Sequence, residues 1–296
     1  MKGIDDLIYI GYYLKSRLLK ESLYKRYGNL CRQVGLRKPY FILSLDCDTV
    51  EDIKVVWELH LRLMDQGVCP VYAVPGELLK KGSEIYRDIS ETGAEFINHG
   101  YREHTYFDQY TGTYRSCFFY DCISQELVEK DILEGDLALK EILGIEAMGF
   151  RAPHFGTIQS GGFLAHINAF LKDLNYKFST STMPYYGFRY GPIFNKWGIT
   201  EIPLSGTWSR PLQVLDSWGC FYAPDRTFEA QDYLTEGSKV VSFCKNKEVP
   251  AVFNYYVDPS HIYNKNEFLE MVKTWINYAQ PVSYSQLLKE VNYEYA

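Results

Sequence analysis

Tyr40-Phe41-Ile42-Leu43-Ser44-Leu45-Asp46-Cys47-Asp48-Thr49 is an apolar run that ends in two carboxylates one residue apart. A continuous run of this kind suits a strand buried on both faces, as in a parallel sheet. Asp46 and Asp48 then stand where strand gives way to loop, and in a β/α barrel that edge is the active-site face. Alone, an Asp at a strand end is more often a turn former or a helix cap. The functional reading therefore depends on matching residues downstream.

Beyond Asp48 the pattern alternates. Val55, Val56, Leu59 and Leu63 fall at helical spacing, and Val71-Tyr72-Ala73-Val74 predicts a short strand broken by Pro75-Gly76. Residues 85–92 predict a helix closed by Gly93, and residues 95–97 a third strand. A longer helix is predicted from about Gln125 to Leu143, and residues 148–150 lead into Arg151-Ala152-Pro153-His154. Residues 202–204 and the run beginning at Val252 complete the predicted strands. Repeated β-then-α units argue for a parallel sheet or barrel. No internal repeat, low-complexity tract or linker divides the 296 residues.

Composition narrows the function. A net charge of −6 with a pI near 5.6 carries no basic footprint, so no nucleic-acid partner is expected. Seven cysteines, odd in number and without a CxxC pair, read as reduced thiols of a cytoplasmic protein. Asp5 and Asp6 fall where a secretory signal would be basic, and no run of 18 apolar residues predicts a membrane span.

Residues 4–36 read as helical, with Leu7, Leu14, Leu18, Leu23, Tyr27, Leu30 and Val34 on one face. Lys15, Arg17, Lys20, Lys25, Arg26, Arg32, Arg37 and Lys38 face Glu21 alone, so residues 15–38 carry +7. The favoured expectation is a helix packed across one end of the barrel with a solvated basic edge. The other is peripheral association of residues 4–38 with the inner face of a membrane. The predicted division is residues 1–38 as a helical extension and residues 39–296 as the barrel.

The second cluster is Asn98-His99-Gly100-Tyr101-Arg102-Glu103-His104. Histidines five apart on a helix point about 140° away from each other at 100° per residue. His99 and His104 can therefore meet at one metal only on a loop, which Gly100 suggests. An Asp and two His form a ligand set suited to zinc or a similar divalent ion.

Together these motifs resemble the polysaccharide deacetylases (NodB homology, carbohydrate esterase family 4) over roughly residues 40–290. The resemblance implies a distorted (β/α) barrel and removal of an acetyl group from an amino sugar. It implies that Asp46 is the general base, that Asp48, His99 and His104 hold the metal, and that Arg151 orients the base. Zn2+ is the first expectation, with Co2+, Ni2+ or Mn2+ as alternatives. The family usually spaces its histidines four apart, so one residue is inserted here. It also commonly has Tyr where His154 stands, and a His where this chain has Asp258. The proton donor is therefore sought among His261, His154 and Asp258. Tyr101, Phe155, Asp216 and Trp218 are candidate substrate contacts. Trp197 and Trp208 read first as core and rim aromatics, and second as sugar-stacking walls.

The expected function is a metal-dependent hydrolase that removes an N-acyl group, acetyl first, from an amino sugar in a glycan or a lipid- or nucleotide-linked saccharide. The alternatives are a hydrolase of a non-sugar amide or imide, and a catalytically silent carbohydrate-binding barrel.

Overall fold

The computed structural model describes residues 2–223 and 229–291. Its strands in chain order are β1 (Tyr40–Asp46), β2 (Val71–Val74), β3 (Phe96–Asn98), β4 (Thr105–Asp108), β5 (Thr113–Ser116) and β6 (Gly149–Phe150). They continue with β7 (Phe178–Ser179), β8 (Phe194–Asn195), β9 (Thr200–Glu201), β10 (Val252–Val257) and β11 (Gln280–Pro281). The main sheet runs β10-β1-β2-β3-β6-β7-β9-β8, with β11 beside β1, and only the β8–β9 pair is antiparallel. β1, predicted as a strand buried on both faces, is buried along its whole length.

The sheet curls until its ends approach, and the seam closes without a ladder. Ser205 N donates to Asn254 O at 2.8 Å, and Asn254 Nδ2 reaches the Ile202 and Pro203 carbonyls at 3.1 Å each. The strand expected at residues 202–204 is instead Thr200–Glu201, because the carbonyls that would pair onward are taken by the Asn254 side chain. The result is a distorted α/β barrel.

Alternation along β1 sorts its side chains. Phe41, Leu43 and Leu45 face the surrounding helices, while Tyr40 and Ile42 join Ala73, Ile97 and Phe178 inside. Ser44 and Asp46 continue that inner column, so Asp46 is delivered to the mouth of the barrel. The helix Tyr284–Glu290 plugs the interior with Tyr284 and Leu287. Outside, Trp275 stacks on Tyr255 at 4.5 Å and meets Phe41 at 4.8 Å. Truncating so buried an indole to Ala costs about 3–5 kcal/mol.

The predicted N-terminal helix is two helices, Lys2–Leu18 and Lys20–Gln33, broken where Leu19 leaves helical geometry (φ −135°, ψ 37°). The second buries Leu23, Tyr24, Gly28 and Cys31. It lies over the seam, where Tyr27 Oη donates to the Val252 carbonyl of β10 at 3.1 Å, a carbonyl that also accepts from Ser205 Oγ at 3.2 Å. Covering an exposed strand edge in this way blocks pairing with other chains.

Candidate metal centre and catalytic cleft

The site residues gather at the strand ends, and Asp46 closes β1 itself. Asp48 follows β1, and Thr49 then caps the helix Val50–Met64 through a capping box with Asp52. His99 follows β3, and the next residue, Gly100, has φ +75°. A Cβ at Gly100 would lie 2.3 Å from Asp131 Oδ2, so only glycine fits. That Asp131 carboxylate holds the turn: it accepts from Tyr101 N at 3.1 Å, Arg102 N at 3.0 Å and Tyr120 Oη at 2.7 Å.

The loop thereby brings His104 back to His99. Asp48 Oδ1 lies 3.3 Å from His99 Nε2, and Asp48 Oδ2 lies 3.0 Å from His104 Nε2. The donor atoms of the three residues lie within 4.8 Å of one another. His99 Nδ1 is 2.7 Å from the Arg151 carbonyl, which makes that nitrogen the N–H and turns Nε2 toward the cluster. Asp48 Oδ1 and His104 Nε2 are buried without a hydrogen-bond partner. Orphaned O and N donors converging on one point fit a divalent ion of the zinc type. Burial pushes the Asp48 carboxyl up, but His104 and His99 more than reverse this and hold it well below the usual range.

Asp46 is set apart. Its Oδ2 stays 4.0 Å from His99 Nε2, while Oδ1 accepts from Arg151 NH1 at 2.5 Å. The buried Arg151 is braced by Tyr284 Oη at 2.6 Å, and Tyr284 donates onward to Asn254 Oδ1 at 2.8 Å. Burial pushes Asp46 up to about 6 against the opposing pull of Arg151 and His99. A carboxylate that ionises in this range and stands outside the Asp48–His99–His104 set is suited to accept a proton.

The cleft above these residues has a volume of about 300 Å³. Asp46, Asp48, His99, His154, Phe155, Asp216, Trp218 and Asp258 all line it. Tyr101 is not on that wall: its hydroxyl accepts from Lys80 Nζ at 3.2 Å on the far side of the loop. Trp197 and Trp208 also lie off this wall; Trp197 packs on Tyr186 and Phe194, and Trp208 stacks on Tyr24 at 5.6 Å.

The three candidate proton donors separate. His154, at φ +45°, stacks on Phe119 at 4.5 Å, and its Nε2 lies 2.9 Å from His104 O and 3.1 Å from Cys117 O. Two carbonyls require that this nitrogen be an N–H, which is then committed to pinning the backbone at His104 and Cys117. Burial, with His104 beside it, pushes His154 below its ordinary pKa. His261 is buried behind Asp258, with Nδ1 3.0 Å from Asp258 Oδ2 and 3.2 Å from Ser217 Oγ. Burial lowers the His261 pKa, but Asp258 outweighs it and the pKa is raised. Asp258 itself faces the cleft and accepts from Ser217 Oγ at 2.7 Å. Opposite, burial pushes Asp216 up to about 6 while Gly219 N and Tyr256 Oη donate to it.

Sequence reasoning missed Asp131, Asn254, Tyr256 and Tyr284. Asn254 was detectable as a lone amide on the inward side of an apolar strand, and Asp131 as an acid on the buried face of the helix Gln125–Leu143. Nothing local marks Tyr284.

No protein-family model matches the sequence, and no curated protein matches it. Solved structures do. A provisionally assigned polysaccharide deacetylase from Mycobacterium smegmatis superposes with a TM-score of 0.62 at 15% identity, over 87% of this chain and 91% of that one. The chain has the polysaccharide deacetylase fold. The Puue allantoinase shares this fold with a TM-score of 0.60 at 9% identity, over 86% of this chain and 90% of that one. The polysaccharide deacetylase fold thus places the Asp48, His99 and His104 cluster at the C-terminal mouth of its barrel, where β/α barrels carry their sites.

Proposed function

We propose that this protein is a metal-dependent hydrolase that removes an N-acyl group, acetyl first, from an amino sugar. One observation carries the reading: a buried Asp48–His99–His104 ligand set beside a second carboxylate, Asp46, that Arg151 holds out of that set. A divalent cation held by Asp48, His99 and His104 would supply Lewis-acid polarisation of the acyl carbonyl and of the attacking water. Asp46 takes the proton from that water as it attacks. Arg151, Tyr284 and Asn254 fix the direction from which Asp46 does so. Asp258, backed by His261 and Ser217, protonates the leaving nitrogen from the opposite wall. His154 clamps the loop that carries His104.

A second chamber of about 830 Å³ adjoins the cleft, with Gly156 and Met183 in both walls. Its faces include Tyr185, Tyr186 and Trp197, and aromatic faces suit sugar rings. This supports a saccharide that extends beyond the reacting amide, as in a glycan or a lipid- or nucleotide-linked sugar. All seven cysteines are free thiols, which supports a reducing, cytoplasmic setting. Among the described residues no helix is long and apolar enough to cross a membrane.

Asp258, a carboxylate where an imidazole is expected, favours a second reading: hydrolysis of a non-sugar amide or imide, whose better leaving nitrogen asks less of an acid. The test is a panel of N-acetylated amino sugars and cyclic imides, assayed with and without a chelator. Chelator-sensitive release of acetate supports the proposal. Turnover of imides alone favours the second reading, and turnover of neither, with metal bound, leaves the silent barrel.

A further inference from the structure

The Lys2–Leu18 helix has two faces with opposite fates. Tyr9 and Tyr12 meet Tyr185 edge-on at 5.1 and 5.5 Å, and Ser16 is buried. At 100° per residue these three span an arc of about 60°. Leu7, Ile10, Leu14 and Leu18 fall within an arc of about 80° on the opposite side. All four are exposed, Leu7 at 69% and Leu18 at 77%. A single exposed leucine needs no explanation, but an aligned stripe of large apolar side chains does.

The flanks say what covers it. Lys15 and Arg17 border the stripe, one on each side, and both are exposed. From Leu7 to Lys20 the chain has no acidic residue. On the next helix Lys25 and Arg26 are exposed as well, while Arg32 at its far end donates to the Glu248 carbonyl at 3.0 Å. We propose that this helix seats the protein on an anionic lipid surface, its leucine stripe entering the headgroup boundary and its lysines and arginines meeting lipid phosphates. Interfacial helices combine these two features. A second copy of the chain fits less well, because a two-fold contact through this stripe would set its basic flanks against each other.

The full chain is mixed with vesicles of phosphatidylcholine, with and without phosphatidylglycerol, and sedimented at low and high salt. It should sediment with the anionic vesicles, release as salt rises, and stay in solution with the neutral ones. Leu14→Glu with Leu18→Glu should weaken vesicle binding by about tenfold or more, since each leucine loses its apolar burial. Lys15→Glu with Arg17→Glu should remove the preference for anionic lipid. Thermal melting and metal content of both variants should match the parent, which separates lost docking from lost folding. No sedimentation with anionic vesicles, or unchanged binding by the leucine variant, overturns the proposal. A dimer in light scattering that the leucine variant abolishes, with no vesicle binding by the parent, would assign the stripe to self-association instead.

Discussion

Replacing Asp131 by asparagine should loosen the loop that carries His104 without touching a ligand. The carboxylate accepts two backbone N–H groups of that loop, from Tyr101 and Arg102, and the Tyr120 hydroxyl. An amide keeps one accepting oxygen and turns an NH2 toward a donor that the second oxygen had satisfied. At least one backbone N–H of the loop then loses its acceptor, and the remaining bonds lose their charged partner. Hydrogen bonds to charged groups are worth about 1.5–3 kcal/mol, so the metal-free protein should lose on the order of 2–3 kcal/mol in urea unfolding. Groups that support metal ligands typically cost about 10–100-fold in metal affinity when removed, and the same range is expected here. Zn2+ titration in competition with a fluorescent chelator reads the affinity directly. Parent-like affinity in the destabilised variant would show that His104 is not held in place through Asp131, and the derivation of the loop would fail.

His261→Ala should slow turnover by about 10²-fold and move the basic limb of the pH–rate profile down, because the raised imidazole pKa behind Asp258 no longer supports a proton there. An unmoved limb would remove His261 from proton donation. Tyr284→Phe should keep parent metal content yet lower kcat by about tenfold as Arg151 loses its brace, in line with the cost of small misplacements; an unchanged kcat would leave Tyr284 with a packing role only. Burial and the nearby Asp258 push Asp52 from 3.8 up to about 7. The folded protein therefore keeps a proton that the unfolded chain releases. This contribution to stability is present near pH 4 and lost as pH rises toward 7, at up to about 1.4 kcal/mol per pH unit. Asp52→Asn should flatten that fall in denaturation at several pH values; an identical slope in both proteins would contradict it.

The residues that were legible from sequence share one property: their signal is local. β1 announces itself by an unbroken apolar run, and the helix Gln125–Leu143 by its period and by Gly144 in the left-handed conformation at its end. Asp48 and His99 each follow a strand, and the five-residue spacing of His99 and His104 already demanded a loop. The rest depends on contacts between distant segments. Tyr284 reaches Arg151 across 133 positions, and no pattern near either residue reports it. The β4–β5 hairpin, which lays Tyr114 against His261 at 4.3 Å, has short strands that are partly exposed and carry little periodicity. The break at Leu19 was hidden because the apolar spacing continues through it. Tyr101 was expected at the substrate, but the turn at Gly100 sends its ring toward Lys80.

Metal content and N-deacetylase turnover of Asp46→Asn and Asp48→Asn, measured side by side, test the division of labour at the barrel mouth most directly. Asp46→Asn should bind metal as the parent does and lose turnover by about 10²–10⁴-fold, the share of a general base. Asp48→Asn should lose the metal itself, because its oxygens are the ones set against both imidazoles. Equal metal loss in the two variants, or parent turnover in Asp46→Asn, would contradict the assignment of Asp46 as base and Asp48 as ligand.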